Sequence, residues 1–201
     1  MAVRYVQHLR KLSPTIALYF ATIALVGFAI DGGVYAVLLN LFLLRMGYGT
    51  ESIGLINAAG TLTFALSSLP AGLLGERWGS RRMLLIGLGL LFAGSVLLPF
   101  ADTLAPAWQL GWLVVSTIVL YLGLAIYFVN SAPFVMGVID AGQRNRVFSL
   151  QTALLSLASF VGSLVGGFLP STIAALLGMS AAQPAPYRYA LILAALALLP
   201  A

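Results

Sequence analysis

Long stretches without a charged side chain constrain this sequence more than any other feature. Such runs occupy 15–30, 53–75, 83–101, 108–139 and 147–187. A helix needs about 20 mostly apolar residues to cross roughly 30 Å of hydrocarbon, and several runs reach that length. Only 7% of the residues are charged, against about 25% in a soluble domain. The chain is therefore predicted to be an all-α membrane protein, folded as a transmembrane helix bundle.

Turn-forming and charged segments between the runs set the boundaries of the expected spans. The predicted spans cover 14–44, 52–74, 83–100, 108–135 and 147–169, with a sixth run at 189–200. The triplet Asp31-Gly32-Gly33 is expected to break the first span at its centre. Pro133 is expected to kink the last turns of the fourth span, and Pro170 is expected to interrupt the fifth.

The two ends of the chain differ in character from the spans. Residues 1–13 carry Arg4, His8, Arg10 and Lys11 among apolar residues, which predicts a short cytoplasmic amphipathic lead at the membrane surface. The sixth run has twelve residues and would rise only about 18 Å as a helix, which is too short for a bilayer. Residues 14–201 are thus expected to form a six-helix unit with five full spans and a truncated sixth.

The distribution of basic residues predicts the orientation of the spans. With the N-terminus inside, the inner segments hold eight Lys or Arg residues and the outer segments hold only Arg45 and Arg188. Because basic residues accumulate on the cytoplasmic side, an inward N-terminus is predicted, in a multi-pass protein of the plasma (cell inner) membrane.

The segment between the second and third spans, 72–82, is called the signature loop below. It reads GLLGERWGSRR and resembles the loop G-x-L-a-D-R-x-G-x-R-R of the major facilitator superfamily of secondary transporters. Glu76 stands where Asp is usual. The other positions that match, or that carry the charge, are Gly72, Leu74, Arg77, Gly79, Arg81 and Arg82.

The resemblance implies a fold and a mode of action. The chain would be the amino-terminal half of a twelve-span transporter, with two six-helix halves that rock around a central cavity. Glu76 and the loop arginines would form a charge network that controls an inner gate. A simpler interpretation is that the arginines only fix the topology, but that does not explain the glutamate or the glycine spacing.

Asp31 is the main candidate for coupling or substrate contact. A carboxylate near the membrane centre is costly and usually faces a cavity or a partner. In the superfamily the first span lines the cavity, so the resemblance implies reversible protonation at Asp31 coupled to solute movement. A structural Asp bonded to a neighbouring helix is the alternative. Other polar candidates for the cavity are Tyr35, Asn57, Tyr121, Tyr127, Asn130 and Gln151.

The fifth span contains small residues at regular spacing. The segment 158–167 partly resembles the antiporter signature g-x-x-x-G-P-x-x-G-G, with matches at Gly162, Gly166 and Gly167 but Ser163 in place of proline. Small residues four apart also allow close packing of helices, which is the favoured interpretation.

The function expected from these features is transport of a small solute by alternating access, coupled by analogy to protons. The apolar spans lean slightly toward export of hydrophobic or amphipathic compounds. Uptake of a small metabolite and a non-transporting sensor or scaffold of the same fold remain alternatives. With one His and no Cys, no enzyme activity, cofactor or metal site is expected. The expected partners are the solute, protons, the lipid bilayer and a second, carboxy-terminal half, and not nucleic acid.

Overall fold

The computed structural model describes residues 14–200, and this part of the chain is mainly helical. The predicted lead, 1–13, lies outside the described residues. The helices are α1 (Pro14–Ala29), α2 (Val34–Arg45), α3 (Thr50–Trp78), α4 (Ser80–Leu97), α5 (Pro106–Val138), α6 (Arg144–Leu177) and α7 (Ala185–Leu196). Short 3-10 turns, Leu98–Thr103 and Ala141–Gln143, follow α4 and precede α6.

Within residues 14–200, five helical segments are long and apolar enough to cross a membrane, which confirms the predicted fold class. These segments are Pro14–Arg45, Thr50–Trp78, Ser80–Thr103, Pro106–Val138 and Ala141–Leu177. The prediction that Pro170 interrupts the fifth span is wrong, because α6 continues through it to Leu177. A proline removes one backbone donor, but neighbouring helices and small adjustments tolerate this in membrane helices. Helix α5 runs past Pro133 to Val138, and the kink expected at Pro133 stays a prediction.

The first span is broken where the sequence predicts. The backbone N–H groups of Ile30 and Asp31 both donate to the Val26 carbonyl oxygen, at 2.8 and 3.0 Å. Gly32 then adopts a φ of 76°, which L side chains rarely adopt. The Asp31 carbonyl oxygen, released from the helix, accepts a hydrogen bond from the Ser159 hydroxyl of α6. The break is thus held by a neighbouring helix.

Helices α3, α4 and α5 form one closely packed group. A Cβ atom added at Gly94 would lie 2.5 Å from the Leu120 nitrogen, and one added at Gly87 would lie 2.8 Å from the Tyr127 nitrogen. The corresponding position at Gly123 lies 2.5 Å from the Leu91 nitrogen, so the α4 and α5 backbones meet at three glycines. Such contact gives extensive van der Waals packing, the main source of helix association in lipid.

The second group contains α1, α2, α6 and α7. A Cβ atom at Gly162 would overlap the Phe28 carbonyl oxygen, and one at Gly166 would lie 3.2 Å from the Val34 Cα. Gly162 and Gly166 therefore let α6 approach both sides of the break. Gly167 is different, because no described atom lies within 4 Å of its Cβ position. The packing role predicted for Gly167 is not seen among the described residues.

Polar contacts join the two groups near both ends of the bundle. At the signature-loop end, the Tyr19 and Ser131 hydroxyls lie 2.8 Å apart. At the opposite end, the Arg188 Nη1 donates to both carboxylate oxygens of Asp102, at 3.2 and 3.1 Å. Between them the Tyr35 hydroxyl donates to the Ser95 carbonyl oxygen.

Helices α3 and α6 are the least buried. Only 11% of the residues in their most apolar stretches are buried, against 44% in α4 and α5. Each exposes a stripe of large apolar side chains at helical spacing. The α3 stripe consists of Leu55, Leu62, Leu66, Leu69 and Leu73, and the α6 stripe consists of Leu157, Phe160, Leu164 and Phe168.

Candidate functional site

A small pocket lies beside the break in the first span, between α2 and α5. It has a volume of about 170 Å³. Its lining consists of Ile30, Asp31, Gly32, Tyr35, Ala36, Leu39, Leu120, Tyr121 and Leu124. The break places Asp31 here, because the chain leaves the α1 helix at this residue and re-enters a helix at Val34.

Asp31 is the one charged residue in this lining. Its side chain is partly buried, and its carboxylate makes no hydrogen bond or ion pair with the part of the chain that the structure describes. A partly exposed carboxylate that is open on one side can accept a proton or meet a cationic group of a solute. The alternative was an Asp side chain bonded to a neighbouring helix. Among the described residues, only the Asp31 backbone makes such a bond, because its carbonyl oxygen accepts from the Ser159 hydroxyl of α6.

Tyr35 and Tyr121 line the same pocket as Asp31. Tyr121 also packs on α3, since a Cβ atom at Gly60 would lie 2.7 Å from its ring. The Tyr35 hydroxyl is already used by the Ser95 carbonyl oxygen. Tyr35 therefore contributes its ring to the pocket, while its hydroxyl holds α2 against α4.

Gln151 does not line this pocket. It belongs to a separate set of polar side chains nearer the signature-loop end, which we call the polar cluster: Tyr19, Thr22, Tyr127, Ser131 and Gln151. The Thr22 hydroxyl lies 3.1 Å from the Tyr127 hydroxyl, and the Gln151 Nε2 donates to the Ser131 Oγ at 3.4 Å. The Gln151 Oε1 is buried and has no hydrogen-bond partner in the described chain.

Sequence reasoning missed Tyr19, Thr22, Ser131 and Ser159 as functional or organising residues. Each is a hydroxyl inside an apolar run, a signal that is common in membrane helices and is weak for a single residue. The pairing of Tyr19 with Thr22 at helical spacing on α1 was the available hint, because such residues share one face.

The signature loop is a tight reversal between α3 and α4. Gly79 has φ 88° and ψ 136°, and its N–H donates to the Gly75 carbonyl oxygen at 3.0 Å. A Cβ atom at Gly75 would overlap the Asn130 side-chain amide. That amide donates to the carbonyl oxygens of Ala71 and Ile126, at 3.1 and 2.9 Å. Asn130 thus fastens the end of α3 to α5. Gly72 is less tightly packed, because a Cβ atom there would meet only the Val129 side chain, at an ordinary contact distance of 3.6 Å.

The charged side chains of the loop are exposed. Within residues 14–200, Glu76, Arg77, Arg81 and Arg82 form no ion pair, so the expected charge network is not assembled here. The loop therefore presents three guanidinium groups and one carboxylate at one end of the bundle. Among the described residues no group of three His, Cys, Asp or Glu side chains is placed to hold a metal ion.

These features define a class: an α-helical protein with several membrane-length helices, whose first span is broken around a carboxylate. The family follows from comparison with known proteins. The family model of the Major Facilitator Superfamily matches residues 12–201, and the chain belongs to that superfamily. Proteins of this superfamily are membrane transporters of small-molecule substrates.

One curated relative is a protein of Mycobacterium tuberculosis, strain H37Rv, described as an uncharacterized MFS-type transporter. It is 29% identical over 126 residues, which make up 63% of this chain and 20% of the relative. The chain therefore matches about a fifth of the relative's length.

Proposed function

We propose that this chain forms the amino-terminal half of a transporter that moves a hydrophobic or amphipathic solute by alternating access, coupled to protons at Asp31. One observation carries the proposal: a carboxylate without a described partner lies at a helix break, in a pocket between two helix groups. Apart from Asp31 and two tyrosines, the pocket lining is apolar, which suits a solute with substantial hydrocarbon surface.

We further propose that the signature loop lies on the cytoplasmic side and acts as the inner gate. The basic residues of the described chain support this orientation, because Arg77, Arg81 and Arg82 lie at one end together with Arg144 and Arg146. The free charges of the loop would then find their partners in the rest of the transporter, in the state in which the gate is closed.

A second half is proposed to cover the two exposed stripes. Helices α3 and α6 bury few of their residues. The break and the Asp31 pocket lie between these helices, since Tyr121 packs on α3 and Ser159 belongs to α6. A partner bundle seated on both stripes would close the pocket into a central cavity.

The test compares full-length wild type with Asp31→Asn in proteoliposomes under an imposed pH gradient, with ethidium as the first of a panel of amphipathic probes. The variant keeps the shape of the side chain but cannot bind and release a proton. We expect the pH-driven rate to fall roughly to the rate without a gradient, because a coupling carboxylate must ionise reversibly.

Asp140→Asn is the matched control, since Asp140 is exposed next to the Ala141–Gln143 turn. It should transport as wild type does. Unchanged rate and pH dependence in Asp31→Asn would remove the coupling role.

A further inference from the structure

A second cavity, of about 290 Å³, lies at the signature-loop end between α1, α4 and α5. It shares no lining residue with the Asp31 pocket. Its apolar walls are formed by Leu18, Leu84, Leu85, Leu88 and Phe134. Leu18 and Leu85 are 59% and 61% exposed, so the cavity opens sideways from the bundle, where a membrane protein meets lipid.

Three hydroxyl groups in this cavity already have partners within the protein. They belong to the lining residues Tyr19, Thr22 and Tyr127. The Tyr19 hydroxyl is paired with Ser131, and the Thr22 hydroxyl with Tyr127 and the Tyr19 carbonyl oxygen. A polar solute would have to compete with these bonds, whereas a hydrocarbon chain would fill the space without breaking them.

One charged side chain stands at the mouth of the cavity. Arg81 is the second residue of α4, is exposed, and makes no ion pair with the described residues. An arginine guanidinium binds phosphate through charge-assisted hydrogen bonds. Its neighbour Arg82 is also exposed but does not line the cavity.

We propose that this cavity is a binding site for an anionic phospholipid, with an acyl chain between α1 and α4 and the headgroup phosphate on Arg81. With the proposed orientation the site belongs to the cytoplasmic leaflet, whose anionic lipids are attracted to basic residues. The segment 1–13 would be a poorer occupant, because it carries Arg4, Arg10 and Lys11 and no acidic residue. Its positive charge would be repelled by Arg81.

Native mass spectrometry of the full-length protein in nonionic detergent tests this site. Phosphatidylglycerol and phosphatidylcholine with identical acyl chains serve as the probes, and transport is not needed for the readout. We expect preferential retention of phosphatidylglycerol. Arg81→Gln should lower that preference about fivefold, the effect of one basic residue near a lipid headgroup. Arg81→Lys should retain most of it, and the control Arg82→Gln should leave it unchanged.

A second pair of variants tests the apolar part of the site. Leu88→Trp fills the cavity and should reduce retention of both lipids, whereas Ile86→Trp, outside the lining, should not. Equal losses in Arg81→Gln and Arg82→Gln, or equal retention of the two lipids by wild type, would overturn the proposal. So would normal retention by Leu88→Trp, or retention that appears only after residues 1–13 are deleted.

Discussion

Gly79 holds a backbone conformation that depends on the absence of a side chain. Its φ of 88° with ψ of 136° lies outside the regions that L residues populate. This conformation ends α3 and starts α4 within a single residue, because Trp78 is the last residue of one helix and Ser80 the first of the next. The direction of the signature loop, and hence the placement of its charges, depends on this residue.

Replacing Gly79 with Ala should therefore destabilise the full-length protein by about 1–3 kcal/mol, the cost of holding a non-glycine residue in such a conformation. We also expect slower transport with normal membrane insertion, because the loop arginines would be displaced. Thermal unfolding in detergent and initial transport rates are the measurements.

Gly142→Ala is the control for Gly79→Ala. Gly142 lies in a turn at the same end, has no positive φ, and has open space at its Cβ position. If both variants behave like wild type, neither strain nor gating can be assigned to Gly79.

At the residue scale, the sequence predicts the helix break at Asp31 well, but not which residues surround each polar side chain. Two glycines after an acid in an apolar run indicate the break, and they mark its carboxylate as a candidate site that remains a proposal. Which residues join Asp31 depends on the rotation of each helix about its axis. Tyr121 faces the pocket, whereas Gln151 lies in the polar cluster, and both have the same polar character in the sequence.

At the scale of elements, the approach of α6 to the broken span depends on small residues. Gly162 lies against the Phe28 carbonyl oxygen, and Ser159, one turn earlier, binds the Asp31 carbonyl oxygen. The two contacts hold the break from one helix face. A larger side chain at Gly162 would push α6 away and remove the partner of the Asp31 carbonyl.

Gly162→Leu should thus lower stability by about 1–3 kcal/mol through overpacking, measured as thermal unfolding of the full-length protein in detergent. The same change at Gly167 adds equal hydrophobic bulk where the described structure has open space, so Gly167→Leu should cost far less. Equal effects at the two sites would contradict the packing described for α6.

Hydropathy predicts the existence of the spans better than their ends. The second span was expected at 52–74, but α3 extends from Thr50 to Trp78. The apolar run marks only the part of the helix that would lie in hydrocarbon. The helix itself continues into polar surroundings until a residue such as Gly79 ends it. Pro170 was misread for a related reason, because the cost of one lost hydrogen bond does not end a helix embedded in lipid.

At the scale of the whole molecule, the exposed stripes of α3 and α6 are expected to form the contact with the second half. Leu66 and Leu69 are 68% and 74% exposed in the middle of the α3 stripe. A cysteine at Leu66, paired with cysteines along the second half of the full-length protein, should form a disulfide in one conformational state. This chain has no cysteine of its own, which simplifies the experiment.

Leu85→Cys is the comparison for this crosslink. Leu85 of α4 is similarly exposed, but it lines the second cavity, between α1, α4 and α5. It should not crosslink to the second half. Crosslinking from Leu85 but not from Leu66 would place the second half on the wrong face of this bundle and contradict the proposed assembly.

The way in which the two helix groups are joined affects how the protein should be handled. Within each group, glycines bring backbones into direct contact, whereas the groups are linked by side-chain packing, the Arg188–Asp102 ion pair and hydrogen bonds such as Tyr19–Ser131 and Tyr35–Ser95. A hydrogen bond between membrane helices contributes only about 0.6 kcal/mol on average, and water replaces it readily. A detergent whose micelles admit water would therefore loosen the bundle along this boundary first. Purification in a micelle with a thick, dry interior, or directly in lipid nanodiscs, preserves the Asp31 pocket that the boundary encloses.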